Sequence, residues 1–348
     1  MKAYFHRITE LTPTKFWINN PTRVEAAWAI ENGALGCTNN PSYPQKMIDH
    51  PLEGEYALQL LDESIRETGD DTEAQILFQQ KLVRPIAEKF FPIYQKSAGD
   101  QGHVSIQGDP IHEDDPDTIV REALNNRRVC ENIACKIPTT KPGLKAMEIL
   151  FAENVPVNAT EIMSVQQAVD VFEMYSQVNG KTGKRPKLYM SHIAGIFDDY
   201  MKKVIERDQI DISADIAWQA GLAVARKIYC LMQERGYSGT FVAGGARGLH
   251  HFTEMVGGDV CVTINWAGTA DKLLEQNPPV VNRLFNPVPQ YVIDELLEKS
   301  PDFKRGYLEG SLDVEEYEDF GPVVLFRSSF IKSWKRVLEV ASERRIMA

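Results

Sequence analysis

Residues 132–160 read NIACKIPTTKPGLKAMEILFAENVPVNAT. The stretch opens with a short apolar strand, NIACKI (132–137), runs into a helical pattern, GLKAMEILFAEN (143–154), and returns to a strand, VPVNAT (155–160). Strand, crossover helix and second strand form the unit from which parallel sheets are built, with a right-handed connection. The alternation continues in both directions. KFWIN (15–19), LGCTN (35–39) and HVSIQ (103–107) precede the unit, and KLYMSHI (187–193), GTFVAG (239–244) and VCVTI (260–264) follow it. Helical segments such as DPDTIVREALNN and SVQQAVDVFEMYSQ lie between them. Eight strands alternating with helices predict an α/β fold, a single (β/α)8 TIM barrel. A doubly wound open sheet is the alternative, but no GxGxxG follows the first strand.

Further features refine this reading. Asn20 is placed to cap the helix after the first strand, with Pro21 in its first turn. Residues 54–96 carry apolar side chains at helical spacing. The roughly 65 residues between the second and third strands exceed a minimal crossover and predict two helices outside the barrel. Residues 1–270 are read as the barrel and 271–348 as a C-terminal helical extension packed on it, ending in SSFIKSWKRVLEVASERR.

The 348 residues carry 38 Lys and Arg against 49 Asp and Glu, a net charge of −11. Such a surface repels phosphate backbones and anionic bilayers, so neither nucleic acid nor membrane is expected as a partner. No apolar run approaches the ~18 residues of a membrane span, and the opening residues lack the apolar core of a secretory signal. The five cysteines are odd in number and form no CxxC, which predicts reduced thiols and a cytoplasmic protein. The seven histidines show neither HExxH nor zinc-finger spacing, so no metal site is expected. The adjacent His250 and His251 are expected to point in different directions on a helix, as surface or packing residues. The oligomeric state is left open, a homo-oligomer included.

In a barrel of this kind the working residues sit at the C-terminal ends of strands and on the loops that follow. Several strand ends here are polar where a packed core would favour Val, Ile or Leu. Thr38 to Ser42 closes the second strand, Gln107 closes the third, Asn158 and Thr160 lie on the fifth, and Ser191 lies on the sixth. Lys136 stands within Ile133-Ala134-Cys135-Lys136-Ile137-Pro138, and alternation puts it on the face of Ala134. Burial would lower its pKa and supply the neutral amine that condenses with a carbonyl. The plainer alternative is a lysine that reaches solvent or pairs with a carboxylate. Short polar groups such as Asn158 and Thr160 either orient sugar hydroxyls or close an internal hydrogen-bond network. The loop Ala243-Gly244-Gly245-Ala246-Arg247-Gly248 is either a phosphate site at a helix start or a tight turn with a surface arginine.

Taken together, FWINN…GALGCTNNPS, CKIPTTKPGLKAMEIL and VNATEIMSVQQA resemble the transaldolase family, with SHIAGIFDDYM and VAGGARG matching more loosely. The resemblance implies a (β/α)8 barrel that needs no metal or organic cofactor. It also implies a lysine Schiff base with a ketose or ketose phosphate, and transfer or release of a dihydroxyacetone unit. Lys136 would be the Schiff-base lysine, with Asn19, Gln107 and Thr160 at the family's other catalytic positions. Asn40, Asn158 and Ser191 would contact ketose hydroxyls or the catalytic water, and Arg247 the phosphate. The partner implied is a small sugar or sugar phosphate. Three positions depart from the pattern. The acidic residue of the first strand falls on Asn19, whose amide cannot transfer protons near neutral pH. The catalytic carboxylate of the third strand falls on Gln107. The second phosphate-binding arginine falls on Ile196, although Asp198 is kept. Asp109, Asp198, Glu161 or Tyr189 are candidates to replace the lost acid. Two other readings stay open: a sugar-phosphate-binding protein that has lost catalysis, and an aldolase for a non-phosphorylated ketone.

Overall fold

The computed structural model describes residues 2–347. Its strands are β1 (Lys15–Asn19), β2 (Cys37–Thr38), β3 (Val104–Gln107), β4 (Ile133–Pro138), β5 (Val157–Ile162), β6 (Leu188–His192), β7 (Thr240–Ala243) and β8 (Val260–Ile264). They close into a barrel in sequence order, β8 pairing with β1, and every pairing is parallel. The fold is the (β/α)8 barrel expected from the alternation.

Period-two alternation sorts the strand residues into two environments. In β4, Ile133, Cys135 and Ile137 join the main core between strands and helices, as do Val157 and Ala159 in β5. The alternate residues face the barrel axis. Trp17, Ala134, Tyr189, Val242 and Cys261 pack together there as a separate apolar cluster. The Trp17 and Tyr189 rings lie 4.8 Å apart, and the Tyr189 hydroxyl shares a 2.9 Å hydrogen bond with His103 Nδ1. This plug fills one end of the barrel. Inward positions further along the strands are polar: Asn19, Thr38, Gln107, Lys136, Asn158, Thr160, Ser191 and Thr263. The closed end is therefore dry and aromatic, and the end where the strands finish is hydrophilic.

One irregularity bears on function. Ala159 pairs with Met190 but Ile162 pairs with His192, so β5 carries one extra residue against β6. Glu161, in this bulge, has φ +60°, a left-handed conformation that costs a non-glycine residue about 1 kcal/mol or more.

Three local expectations need correction. The helix Arg23–Glu31 is capped by Thr22, not Asn20. Thr22 Oγ1 accepts the Glu25 amide at 3.1 Å and the Glu25 carboxylate accepts the Thr22 amide at 2.8 Å. Asn20 turns left-handed instead, with φ +45°, and its side chain bonds Asn40. Between β2 and β3 stand three helices rather than two: Tyr43–Asp49, Gly54–Glu67 and Asp71–Lys96. Residues 54–96 break because Asp70 leaves helical geometry and caps the following helix through the Glu73 amide. The third correction concerns His250 and His251, whose rings converge with centroids 4.1 Å apart.

After β8 the chain is helical, ending in Gly321–Met347. That last helix packs against Tyr43–Asp49, Gly54–Glu67, Asp71–Lys96 and Ala194–Asp208. Arg344 and Arg345 near its end pair with Asp62 and Asp71. No described helix is long and apolar enough to cross a membrane. The capping box gives a direct check of the local reading. Thr22→Ala should cost about 1 kcal/mol, seen as a lower urea midpoint at unchanged m-value, whereas Asn20→Ala leaves that helix start intact.

Candidate active site

A cavity of about 410 Å³ opens where the strands end. Of the residues singled out from the sequence, Asn19, Asn40, Lys136, Ser191 and Arg247 line it. Gln107, Asn158 and Thr160 are fully buried behind that wall. Asn158 accepts from Ser191 Oγ at 2.7 Å and donates to Ser105 Oγ at 3.3 Å, so it holds Ser191 from behind. The C-terminal helix closes one side with Phe326, Ser329 and Phe330, and Lys46 from the helix after β2 adds a further cation.

Lys136 is 5% exposed. It stands in register between Gln107 of β3 and Asn158 of β5. Loss of solvation around a buried ammonium lowers its pKa to about 8, against the opposing pull of the Glu161 and Glu113 carboxylates. Those carboxylates come from different elements. Glu161 is turned in by the β5 bulge, and Glu113 comes from the loop after β3. Gln107 Nε2 donates to both, at 2.8 Å to Glu161 Oε1 and 2.9 Å to Glu113 Oε1. Arg327 of the C-terminal helix places Nε 3.8 Å from Glu113 Oε2. Burial raises the pKa of both acids, and for Glu113 the Glu161 charge adds to the effect. Glu161 Oε2, Glu113 Oε2, Gln107 Oε1 and Thr160 Oγ1 make no hydrogen bond to any described residue. Buried polar atoms of this kind are costly unless something else meets them.

Asn19 has a different role from a proton donor. Its Oδ1 accepts from Thr38 Oγ1 at 2.9 Å and its Nδ2 donates to Asn265 Oδ1 at 2.9 Å. Thr38 also shares a 2.8 Å bond with Thr263 Oγ1. The first-strand position is thus locked into a neutral network on the cavity wall. Of the candidates for the missing acid, Tyr189 lies in the apolar plug, Asp109 bonds the Ile111 amide and His112, and Asp198 bonds the Gly221 amide and His251. Glu161 is the one whose charge acts on Lys136.

The Arg247 loop does not open directly into a long helix. The helix after it spans His250–Thr253, and the Arg247 guanidinium pairs with Asp199 while still reaching the cavity. Ile196 lines the same wall. Asp198, His250 and His251 bring three potential metal-ligand atoms within 4.8 Å of one another. The geometry favours a hydrogen-bonded cluster over a metal centre. The Arg247 amide donates to His251 Nδ1 at 3.3 Å, which puts the ring proton on Nε2, 3.0 Å from Asp198 Oδ2.

Glu113 and Arg327 were not legible as site residues. Glu113 lies in an acidic loop, HEDD, that reads as solvated, and Arg327 sits on a helix distant in sequence. The model of the family described as transaldolase/fructose-6-phosphate aldolase matches residues 16–299. The chain belongs to that family. Relatives named transaldolase include those of Mycobacterium ulcerans, 31% identical over 215 residues, and Saccharopolyspora erythraea, 29% identical over 228. These alignments cover 58% and 62% of this chain and 55% and 59% of the relatives. The transaldolase of Mycobacterium bovis is 29% identical over 210 residues, 58% of this chain and 55% of its own. The chain thus matches little more than half the length of these curated relatives.

The lowered pKa of Lys136 gives a test that needs no substrate. At pH 7 an amine with a pKa of about 8 is roughly one-tenth neutral, against well under a thousandth for an ordinary lysine. Reductive methylation by formaldehyde and cyanoborohydride, followed residue by residue in the mass spectrometer, should show Lys136 modification rising with pH about a midpoint near 8. A midpoint above 10 would return the residue to the ordinary class.

Proposed function

We propose that the protein is a Schiff-base enzyme of the transaldolase type, acting on a ketose or ketose phosphate. The observation that carries the reading is Lys136, a desolvated amine on the wall of a polar cavity inside a closed barrel. The neutral amine adds to the keto carbon, and protonation of the resulting carbinolamine hydroxyl lets it leave as water, forming an iminium. The iminium accepts the electron pair released when the next carbon–carbon bond breaks, while a base takes the proton of the hydroxyl on the departing carbon, giving an aldehyde and an enamine. The dihydroxyacetone unit held as the enamine is then passed to a second aldehyde or released. Asn40 and Ser191 on the wall, and Asn158 behind Ser191, are suited to orienting hydroxyls. All five cysteines are free thiols, which supports a reducing, cytoplasmic setting.

At the phosphate end, Arg247 faces the cavity alongside Ile196, and its charge is shared with Asp199. This arrangement also favours a second reading, an aldolase whose ketone substrate carries no phosphate. The two separate by comparing fructose 6-phosphate with fructose. If phosphate is bound, Arg247→Ala weakens KM for fructose 6-phosphate by about 10-fold or more, the value of one charge-assisted contact, with little effect on fructose. Better turnover of fructose by the unaltered protein would establish the second reading.

The central test is covalent. Incubation with fructose 6-phosphate followed by borohydride should leave a reduced three- or six-carbon adduct on Lys136, mapped by peptide mass spectrometry. Lys136→Ala should abolish both adduct and turnover. Binding of fructose 6-phosphate with no adduct and no aldehyde exchange would instead identify a binding protein that has lost catalysis.

A further inference from the structure

The first-strand position is an amide here, and behind the cavity wall a pair of buried carboxylates acts on Lys136. Glu161 and Glu113 come from different elements and are bridged at one side-chain nitrogen, Gln107 Nε2. Two ionised carboxylates on one amide donor repel, and sharing a single proton relieves that repulsion. Both charges act on Lys136. Glu113 and Lys136 also border one void of about 10 Å³, close to the least volume that holds one water. The backbone supports a specific role: the extra residue in β5 and the left-handed φ of +60° at Glu161 bring this carboxylate to Gln107. Backbone strain of this kind is commonly found at functional sites.

We propose that Glu113 and Glu161, joined through Gln107, form a single proton-sharing acid–base unit that serves Lys136 in place of a first-strand carboxylate. The inference rests on the Schiff-base reading above, and its proton count balances. The pair first takes one proton from the Lys136 ammonium, leaving a neutral amine and a singly protonated pair. The amine adds to the keto carbon, and a proton passes from nitrogen to oxygen to give the carbinolamine. The pair then gives its proton to the departing hydroxyl, which leaves as water, so an iminium faces two carboxylates. In the cleavage step the pair takes the proton of the hydroxyl on the carbon that becomes the aldehyde. The electrons of the broken carbon–carbon bond enter the enamine and neutralise the iminium.

The sum of charges on Lys136, the pair and Arg327 is zero in each of these states. With the amine neutral, the pair carries one negative charge against Arg327. With the iminium formed, the pair carries two against the iminium and Arg327. No step leaves an uncompensated charge in this buried site, the outcome that would cost most. Asp109, His112 and Glu122 line the same void as Glu113 and Lys136, and the Glu113–Arg327 contact adds a cation to the surroundings of the pair.

The test uses Glu161→Gln and Glu113→Gln in the full chain, with fructose 6-phosphate and borohydride trapping at Lys136. Each substitution keeps the size of the side chain and an acceptor for Gln107. Removing either negative charge also lowers the Lys136 pKa further, so a purely electrostatic or structural role and an acid–base role predict opposite results. If the pair acts in proton transfer, substrate-free reductive methylation of Lys136 becomes faster at pH 7. The rate of the ketose adduct and of turnover falls by about 10²-fold or more, the usual share of an acid–base group. The pH profile of turnover also loses the limb contributed by the second carboxylate. If adduct and turnover rise in parallel with methylation, or keep the unaltered protein's pH profile, the proposal is overturned while Schiff-base chemistry stands. If the unaltered protein gives no Lys136 adduct although its methylation midpoint lies near 8, the Schiff-base reading fails and the proposal with it. Melting temperatures measured alongside identify a variant that has merely unfolded. In that case Glu161→Asp, which keeps the charge but shortens its reach, should retain the pH profile with a reduced rate, and an altered profile would overturn the proposal.

Discussion

An ammonium group taken out of water must lose its proton or find negative charge, and the upper half of this barrel is arranged around that constraint. Lys136 is carried to the axis by the alternation of β4, whose Ile133, Cys135 and Ile137 pack outward as ordinary core. Closure of the barrel and its aromatic plug leave the amine almost fully buried, at the wall of the cavity. Isolated, a charge at this depth would be prohibitive. The lysine therefore sits among groups that are themselves reluctant to ionise: burial raises the pKa of both acids, while their charges act on the amine against its own desolvation.

How much of this could be read from the chain follows from the range over which each signal acts. Alternation is a local and rigid rule, so the strands and the inward direction of Lys136, Asn158 and Thr160 follow from sequence. The rule fails one residue later. By alternation Glu161 should face outward, and the bulge that shifts its phase is specified by pairing with β6, not by its neighbours in sequence. Glu113 and Arg327 come from a loop and a distant helix, and nothing periodic announces either. The choice between Thr22 and Asn20 as a helix cap turned on Glu25, three residues beyond Thr22, whose carboxylate completes the reciprocal pair. His250 and His251 converge because their helix is a single turn and Asp198 draws one ring toward it.

The far end of the cavity shows the same economy in a different setting. Arg247 is positioned by its own loop and by Asp199, so it enters the site with part of its charge already answered. Ile196 on the adjoining wall offers no charge at all. Lys46, across the cavity, bonds the Asn20 carbonyl at 2.6 Å and lies 3.8 Å from Glu25. Positive charge is thus present at several points of the wall, but each cation is tied to the scaffold. A bound anion would have to compete with Asp199 for Arg247, and a neutral sugar would not.

The C-terminal helix is what joins these regions into one site. It lies outside the barrel, yet Phe326, Ser329 and Phe330 form part of the cavity wall and Arg327 answers Glu113. Without that guanidinium the proton-sharing pair would carry its charge uncompensated whenever Lys136 is neutral, and each carboxylate would hold its proton more tightly. The helix is fixed by contacts with the helices between β2 and β3 and with the helix after β6, and by the Arg344–Asp62 and Arg345–Asp71 pairs far from the cavity. Those segments exceed what closing a barrel requires. Their physical consequence is to hold one cation over the carboxylates, so that protons can move among Glu113, Glu161 and Lys136 while the buried charge stays balanced.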